Sequence, residues 1–225
     1  MAISDSLQSV KSRIAAACVA AGRPPDAVRL LVVSKTFPAA AVRQAFAAGA
    51  RAFGENYVQE GLAKIEELAD LRGQLQWHLI GPLQSNKTRP VAERFDWVHS
   101  VDRLKVAERL SEQRPAGLAA LNVCLQVNIS GEASKSGLLP GEVAALAHRV
   151  AALPGLRLRG LMAVPEPGPE AAAQHQAMAA LFDTLNSQGL GLDTLSLGMS
   201  ADLEAAIAAG STMVRIGSAI FGARA

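Results

Sequence analysis

The amino-acid sequence predicts a single (β/α)8 barrel of the α/β class, and three observations carry that expectation. Eight short runs rich in Val, Ile and Leu recur along the chain, which has 225 residues. Longer Ala-rich segments with helical spacing separate them, the pattern of repeated strand–helix units around a parallel sheet. The length suits one large barrel and is short for two full domains with a linker, so one domain is expected over residues 1–225. Eight alternating units also favour a closed barrel over the competing open, doubly wound sheet.

A helix is expected from about Ser4 to Ala20, ahead of a first strand at Arg29 to Ser34. Pro38 near the start and Gly49 just past the end punctuate the next helix. Further strands are expected at Ala52 to Gly54, Gln76 to Ile80, Trp97 to Ser100 and Asn122 to Asn128. The sixth runs from Arg157 to Ala163, and the Pro and Gly residues from Val164 to Pro169 read as the loop after it rather than as a linker. Thr194 to Gly198 and Met213 to Ile216 complete the set, with a helix over Leu203 to Ala209 followed by Gly210.

Half of the residues are hydrophobic and 19% are charged, so the chain can bury a sizeable core. The net charge of +2 is nearly balanced and no Lys/Arg run stands out, which removes the electrostatic case for nucleic acid. No apolar stretch is long enough to span a membrane, and Asp5, Lys11 and Arg13 interrupt what would have to be a signal-peptide core, so a cytoplasmic protein is expected. Cys18 and Cys124 show no metal-binding spacing and read as buried free thiols. His78, His99, His148 and His175 form no recognisable metal or nucleophile–base pattern and read as buried or solvated side chains.

In such barrels, function gathers where strands end and loops begin on the C-terminal side. Lys35 closes the apolar run Leu30 to Ser34 there. Desolvation of its amine would favour the neutral nucleophile that condenses with an aldehyde, although on position alone a solvated lysine is the simpler reading. Gly198-Met199-Ser200 precedes a helix expected near Ala201, so Ser200 reads as its N-cap, a position that serves either capping or an anion such as phosphate. Gly217-Ser218 ends the last strand, where glycine admits a close anion and serine adds a hydroxyl. Arg215 could join that anion, face another part of a ligand or pair with a carboxylate; Asn56 could contact a ligand or cap the next helix. Met162 and Met199 are assigned no role, and the loop lysines Lys87 and Lys135 are secondary anion candidates.

Several ordered motifs now become informative together: Val33-Ser34-Lys35-Thr36, Gly54-Glu55-Asn56-Tyr57-Val58-Gln59-Glu60, and Trp77 through Lys87. They continue with Gln126 to Ser130, Ser134-Lys135-Ser136-Gly137, Leu158 to Met162, Gly198-Met199-Ser200 and Val214-Arg215-Ile216-Gly217-Ser218. Nearly end to end, this order resembles the pyridoxal phosphate homeostasis proteins, the YggS or PROSC family, which are related to the barrel domain of alanine racemase. The resemblance implies pyridoxal 5′-phosphate held as a Schiff base on Lys35, with Ser200, Gly217 and Ser218 at its phosphate. Arg215 resembles the arginine that faces the pyridine nitrogen in racemase-like barrels, and Asn56 is carried over as a neighbour of the ring. Many relatives have a second lysine two positions after the Schiff-base lysine. Phe37 stands there in this chain, so no role of that second lysine transfers. Ser218, often threonine in relatives, keeps the hydroxyl.

The function so implied is pyridoxal phosphate (vitamin B6) homeostasis and amino-acid balance without catalysis. Apoenzymes that use the cofactor are the expected recipients, and the protein is expected to be monomeric. An amino-acid racemase is the alternative, and an adaptor reporting vitamin status to a partner is a third. Racemisation needs acid–base groups on both faces of the substrate. Alanine racemase takes one from a tyrosine near its second, β-rich domain, whereas this sequence ends at Ala225 just after the eighth strand and has Tyr57 as its sole tyrosine.

Overall fold

The computed structural model describes residues 2–132, 134–166 and 168–222. Eight parallel strands close on themselves in sequence order, β1 pairing with both β2 and β8. They are β1 (Arg29–Val33), β2 (Ala52–Glu55), β3 (Gln76–Leu79), β4 (Trp97–Val101), β5 (Leu121–Gln126), β6 (Leu156–Met162), β7 (Thr194–Ser196) and β8 (Met213–Ile216). All eight expected strands are present, and the corrections are at their ends. The fifth stops at Gln126 instead of Asn128: Val127 N–H still bonds Met162 O of β6, but Gln126 O and Asn128 N–H pair with Leu138, tying the chain on its other side to the following loop. The seventh stops at Ser196 instead of Gly198, where the chain turns at a φ of 93°.

The helices are α1 (Ile3–Ala20), α2 (Ala39–Ala47), α3 (Val58–Glu67), α4 (Thr88–Arg94), α5 (Leu104–Gln113), α6 (Pro140–Ala151), α7 (Ala171–Ser187), α8 (Leu203–Ala208) and α9 (Ser218–Phe221). Leu7, Val10, Ile14, Ala17 and Cys18 recur at helical spacing and are buried, which fixes the inward face of α1. Each fully buried large aliphatic there contributes about 1.5–3 kcal/mol. This face lies against α2, α8 and α9, so α1 braces the chain around the last two strands. Pro140 opens α6, and Glu142 accepts the Leu139 N–H at 2.9 Å.

The main apolar core runs through these helices and the strands, with Phe53, Trp77 and Phe95 among its largest buried side chains. A different set fills the lumen. His99 of β4 and Ser196 of β7 are in contact although their strands are not neighbours in the sheet, so their bond crosses the barrel interior. His78, Trp97, Cys124, Met162 and Arg215 are also buried, and His78 stacks on Trp97 at 5.1 Å between centroids. Cys18 and Cys124 are buried free thiols, and burial pushes Cys124 up to about 12. Among the described residues no helix is long and apolar enough to cross a membrane. Pro167 of the loop after β6 and residues 223–225 of the expected domain lie outside the described residues.

Candidate functional site

The C-terminal ends of β1, β2, β7 and β8 surround a cavity of about 420 Å³. Lys35, Asn56, Ser200, Arg215, Gly217 and Ser218 all line it, so the structure brings the six residues singled out in the sequence to one place. Val33 and Ile80 supply apolar wall, and Phe37 sits at the edge stacked on Phe221 of α9 at 4.8 Å between centroids. Lys135 lies instead in a separate cavity of about 160 Å³ with Gln126 and Asn128, and Lys87 lines neither of these two cavities.

Lys35 follows β1 directly, in the turn Ser34 to Phe37 closed by a Phe37 N–H bond to Ser34 O at 3.1 Å. Asn56 occupies the matching place after β2. Gly81 fits tightly against it, since a Cβ at Gly81 would stand 2.1 Å from Asn56 O. The helix-capping alternative for Asn56 is not realised: the N-cap of α3 is Tyr57.

Opposite these, Ser200 and Ser218 bring their hydroxyl oxygens to 3.4 Å. Gly217 is required by contact, because a Cβ there would lie 2.8 Å from the backbone oxygen of Val33. Ser218 is the first residue of α9, whose first N–H groups have no acceptor within the helix, and it lines the cavity with Ser200. Ser200 is not the helix N-cap. Asp202 is, because Met199 to Asp202 form a turn (Asp202 N–H to Met199 O, 3.3 Å) before α8 begins. The Asp202 carboxylate reaches back to the Met199 N–H at 2.7 Å and to His175 Nε2 at 2.9 Å. Burial pushes that carboxyl up, but the bonds from His175 and Met199 outweigh it and hold Asp202 below its ordinary range. From outside, Arg13 of α1 donates to Ser200 O at 2.9 Å while its other nitrogens grip Glu204.

Arg215 is buried and makes no ion pair among the described residues, so the carboxylate alternative is set aside. Its guanidinium donates to Ser196 O and Oγ at 2.6 and 2.8 Å and to Ala163 O at 2.8 Å, which fixes its plane against the cavity wall. Burial lowers it to about 10, so it stays charged at neutral pH. Ser196 Oγ also contacts His99 Nδ1 at 3.1 Å, and His99 Nε2 meets His78 Nδ1 at 2.9 Å. Burial first, and then the Arg215 charge, lower His99 to about 3, so this imidazole is neutral.

A second buried cluster lies behind Lys35. Lys64 donates to Glu55 Oε1, Glu60 Oε1 and Ser34 O at 2.8, 2.7 and 2.7 Å, and Ser34 Oγ donates to the same Glu55 oxygen at 2.5 Å. Burial pushes the Glu55 carboxyl up, against the pull of Lys64 and Ser34. Sequence reasoning missed Glu55, Glu60, Lys64, Arg13, Asp202 and His175. The Glu60/Lys64 spacing of four on a helix was a local signal; the Arg13–Glu204 and His175–Asp202 pairs leave none.

These residues fit pyridoxal phosphate: an amine, two converging hydroxyls beside a glycine that admits close approach, and a fixed cation on the wall. Residues 6–225 match the family described as alanine racemase, N-terminal domain. The chain is 67% identical to the pyridoxal phosphate homeostasis protein of Pseudomonas aeruginosa over 99% of its own length and 96% of that protein's. It is 57% identical to the protein of that name from Escherichia coli K12, covering 99% and 97% of the two chains. Among solved structures, PipY of Synechococcus elongatus PCC7942 with PLP bound superposes with a TM-score of 0.84 at 39% identity, covering 98% of this chain and 100% of that one. The cavity geometry and these likenesses agree, and the chain belongs to the pyridoxal phosphate homeostasis family.

Proposed function

We propose that this protein binds pyridoxal 5′-phosphate covalently through Lys35 and serves the cell's balance of that cofactor without turning over a substrate. The observation that carries this reading is that Lys35 and the Ser200–Ser218 hydroxyl pair, 3.4 Å apart, line one cavity. When bound, pyridoxal phosphate supplies an aldehyde that joins a primary amine with loss of water, and a ring that can hold electrons. Lys35 presents the amine; Ser200, Gly217 and Ser218 take the phosphate; Asn56 stands beside the ring. Arg215 keeps a positive charge on the wall, where it opposes a second positive charge on the ring nitrogen and so weakens the ring as an electron sink.

The non-catalytic part of the reading rests on proton bookkeeping. Among the described residues, Lys35 and Arg215 are the ionisable side chains lining the cavity, and Tyr57 is 60% exposed and is not part of its wall. Lys35 can move a proton; Arg215 is charged and already donates to Ser196 and Ala163. A racemase needs an opposed second group. We place the protein in the cytoplasm as a single-domain monomer over residues 1–225, with apoenzymes that need the cofactor as recipients.

An absorbance titration with pyridoxal phosphate and with pyridoxal, which lacks the phosphate, tests the binding. The phosphate form is expected to bind at least about 100-fold more tightly, given roughly 1.5–3 kcal/mol for each hydrogen bond to a charged group. Equal affinity would remove the proposed phosphate site. Alanine incubated with cofactor-loaded protein is expected to keep its configuration at the rate seen with free cofactor. Sustained racemisation above that rate would replace the carrier reading with the racemase one.

A further inference from the structure

Glu55 and Glu60 belong to the Gly54 to Glu60 motif, yet the reading above gives them no task. Glu55 is fully buried and Lys64 is 5% exposed, and all three Lys64 donors are taken by Glu55, Glu60 and Ser34 O. Burying such a pair is costly and is weak support for stability in itself, so its purpose is better sought in what it holds. What it holds is the turn carrying Lys35. The Ser34 carbonyl accepts from Lys64, and the Thr36 N–H donates to Glu60 Oε1 at 2.5 Å. Both peptide units flanking Lys35 are therefore tied to one rigid cluster.

The turn needs holding. Thr36 has φ 69° and is the single non-glycine residue with positive φ among the described residues. It occupies the third position of the Ser34 to Phe37 turn, where positive φ ordinarily calls for Gly or Asn. A β-branched residue in that conformation is strained, and such strain persists only where the surroundings impose it. With the cofactor joined to Lys35, as proposed above, the direction of the Lys35 side chain depends on this turn.

We propose that Glu60 and Lys64 are positioning residues for Lys35: by gripping the Thr36 N–H and the Ser34 carbonyl they keep Thr36 in the left-handed region and aim the amine into the cavity. Neither lines the cavity; both act through the turn. Removing Lys64 would leave Glu55 buried without its cation and could unfold the barrel, so the test is made at Glu60, which is partly exposed.

The full-length protein is compared with Glu60→Ala, Glu60→Gln, Thr36→Gly and Thr36→Gly/Glu60→Ala. The rate and extent of the borohydride-trapped pyridoxyl adduct at Lys35 are followed, together with Tm and Thr36 amide hydrogen exchange without cofactor. Glu60→Ala is expected to slow adduct formation by about tenfold, the order set by releasing one residue from a left-handed conformation, and to speed Thr36 exchange. Glu60→Gln, which retains an acceptor oxygen, is expected to restore the rate to within about twofold. Thr36→Gly in the Glu60→Ala background is expected to recover most of the loss, because glycine holds positive φ without help. A general loss of stability would follow Tm and would not be repaired by that glycine. Wild type forming the adduct with Glu60→Ala matching it, or a loss that Thr36→Gly leaves in place, overturns this proposal alone. A wild type without adduct at Lys35 overturns the cofactor reading and this proposal with it.

Discussion

The two sides of the cavity are built in different ways. The amine side rests on an ion cluster in which Glu55 and Lys64 are almost wholly removed from water; Lys64 holds the Ser34 carbonyl, and its partner Glu60, partly exposed, holds the Thr36 N–H on the other side of Lys35. The hydroxyl side rests on a mixture. His175 and Asp202 hold Met199 from within, while the partly exposed pair Arg13 and Glu204 holds Ser200 from without, with side chains 39% and 55% exposed. Buried charges are little screened by salt and exposed ones strongly so. The turn carrying Lys35 is therefore anchored mainly by a buried pair that salt reaches poorly, whereas the hydroxyl-lined surface is held partly by contacts that the solvent can weaken.

The largest effect expected on this comparison is on the hydroxyl side. Ser200→Ala with Ser218→Ala should weaken pyridoxal phosphate binding by about 100-fold or more and leave pyridoxal binding nearly untouched, as read by equilibrium titration. Equal losses for both compounds would mean that the pair does not face the phosphate. Gly217→Ala comes next, because its new Cβ meets Val33 backbone and the strain falls between β1 and β8. About 1–3 kcal/mol of stability should be lost in urea denaturation, with cofactor affinity falling about tenfold.

Asp202 gives a pH test. Its folded pKa lies below the ordinary value, so its contribution is present above the unfolded carboxylate pKa of about 3.9 and is lost as pH falls through the folded value. Asp202→Asn, which still accepts from Met199, should flatten the acid limb of a stability–pH curve and cost less than about 2 kcal/mol at neutral pH. An unchanged acid limb would remove Asp202 from the account. The smallest effect is expected for Arg13→Ala, about 0.2–1 kcal/mol and vanishing at 1 M salt. A loss that salt does not diminish would erase the contrast between the two sides.

The barrel was legible because its strands are short, apolar and separated by helices of ordinary length. Strand ends were less so. Asn128 looks like the end of a strand in sequence but bonds a loop residue ten positions on. The six cavity residues could be named because they lie at or within a few residues of strand ends on one side of the barrel, where a barrel must bring them together, and because ordered motifs around them resemble one family. The residues that hold them could not. Arg13 meets Glu204 and Ser200 across some 190 positions, and His175 meets Asp202 across 27, separations at which local spacing carries no information. In sequence Ser200 reads as a cap because a serine before a helix ordinarily is one; in the structure Asp202 stands in its place.

Whether Lys35 carries the cofactor, as proposed, is decided by trapping. Protein saturated with pyridoxal phosphate is reduced with borohydride, digested and mapped by peptide mass spectrometry beside Lys35→Ala treated identically. A pyridoxyl adduct on Lys35 is expected in the wild type, with an absorbance band near the visible edge before reduction, and neither in the variant. An adduct located elsewhere, or the same spectrum in both proteins, would contradict the proposal.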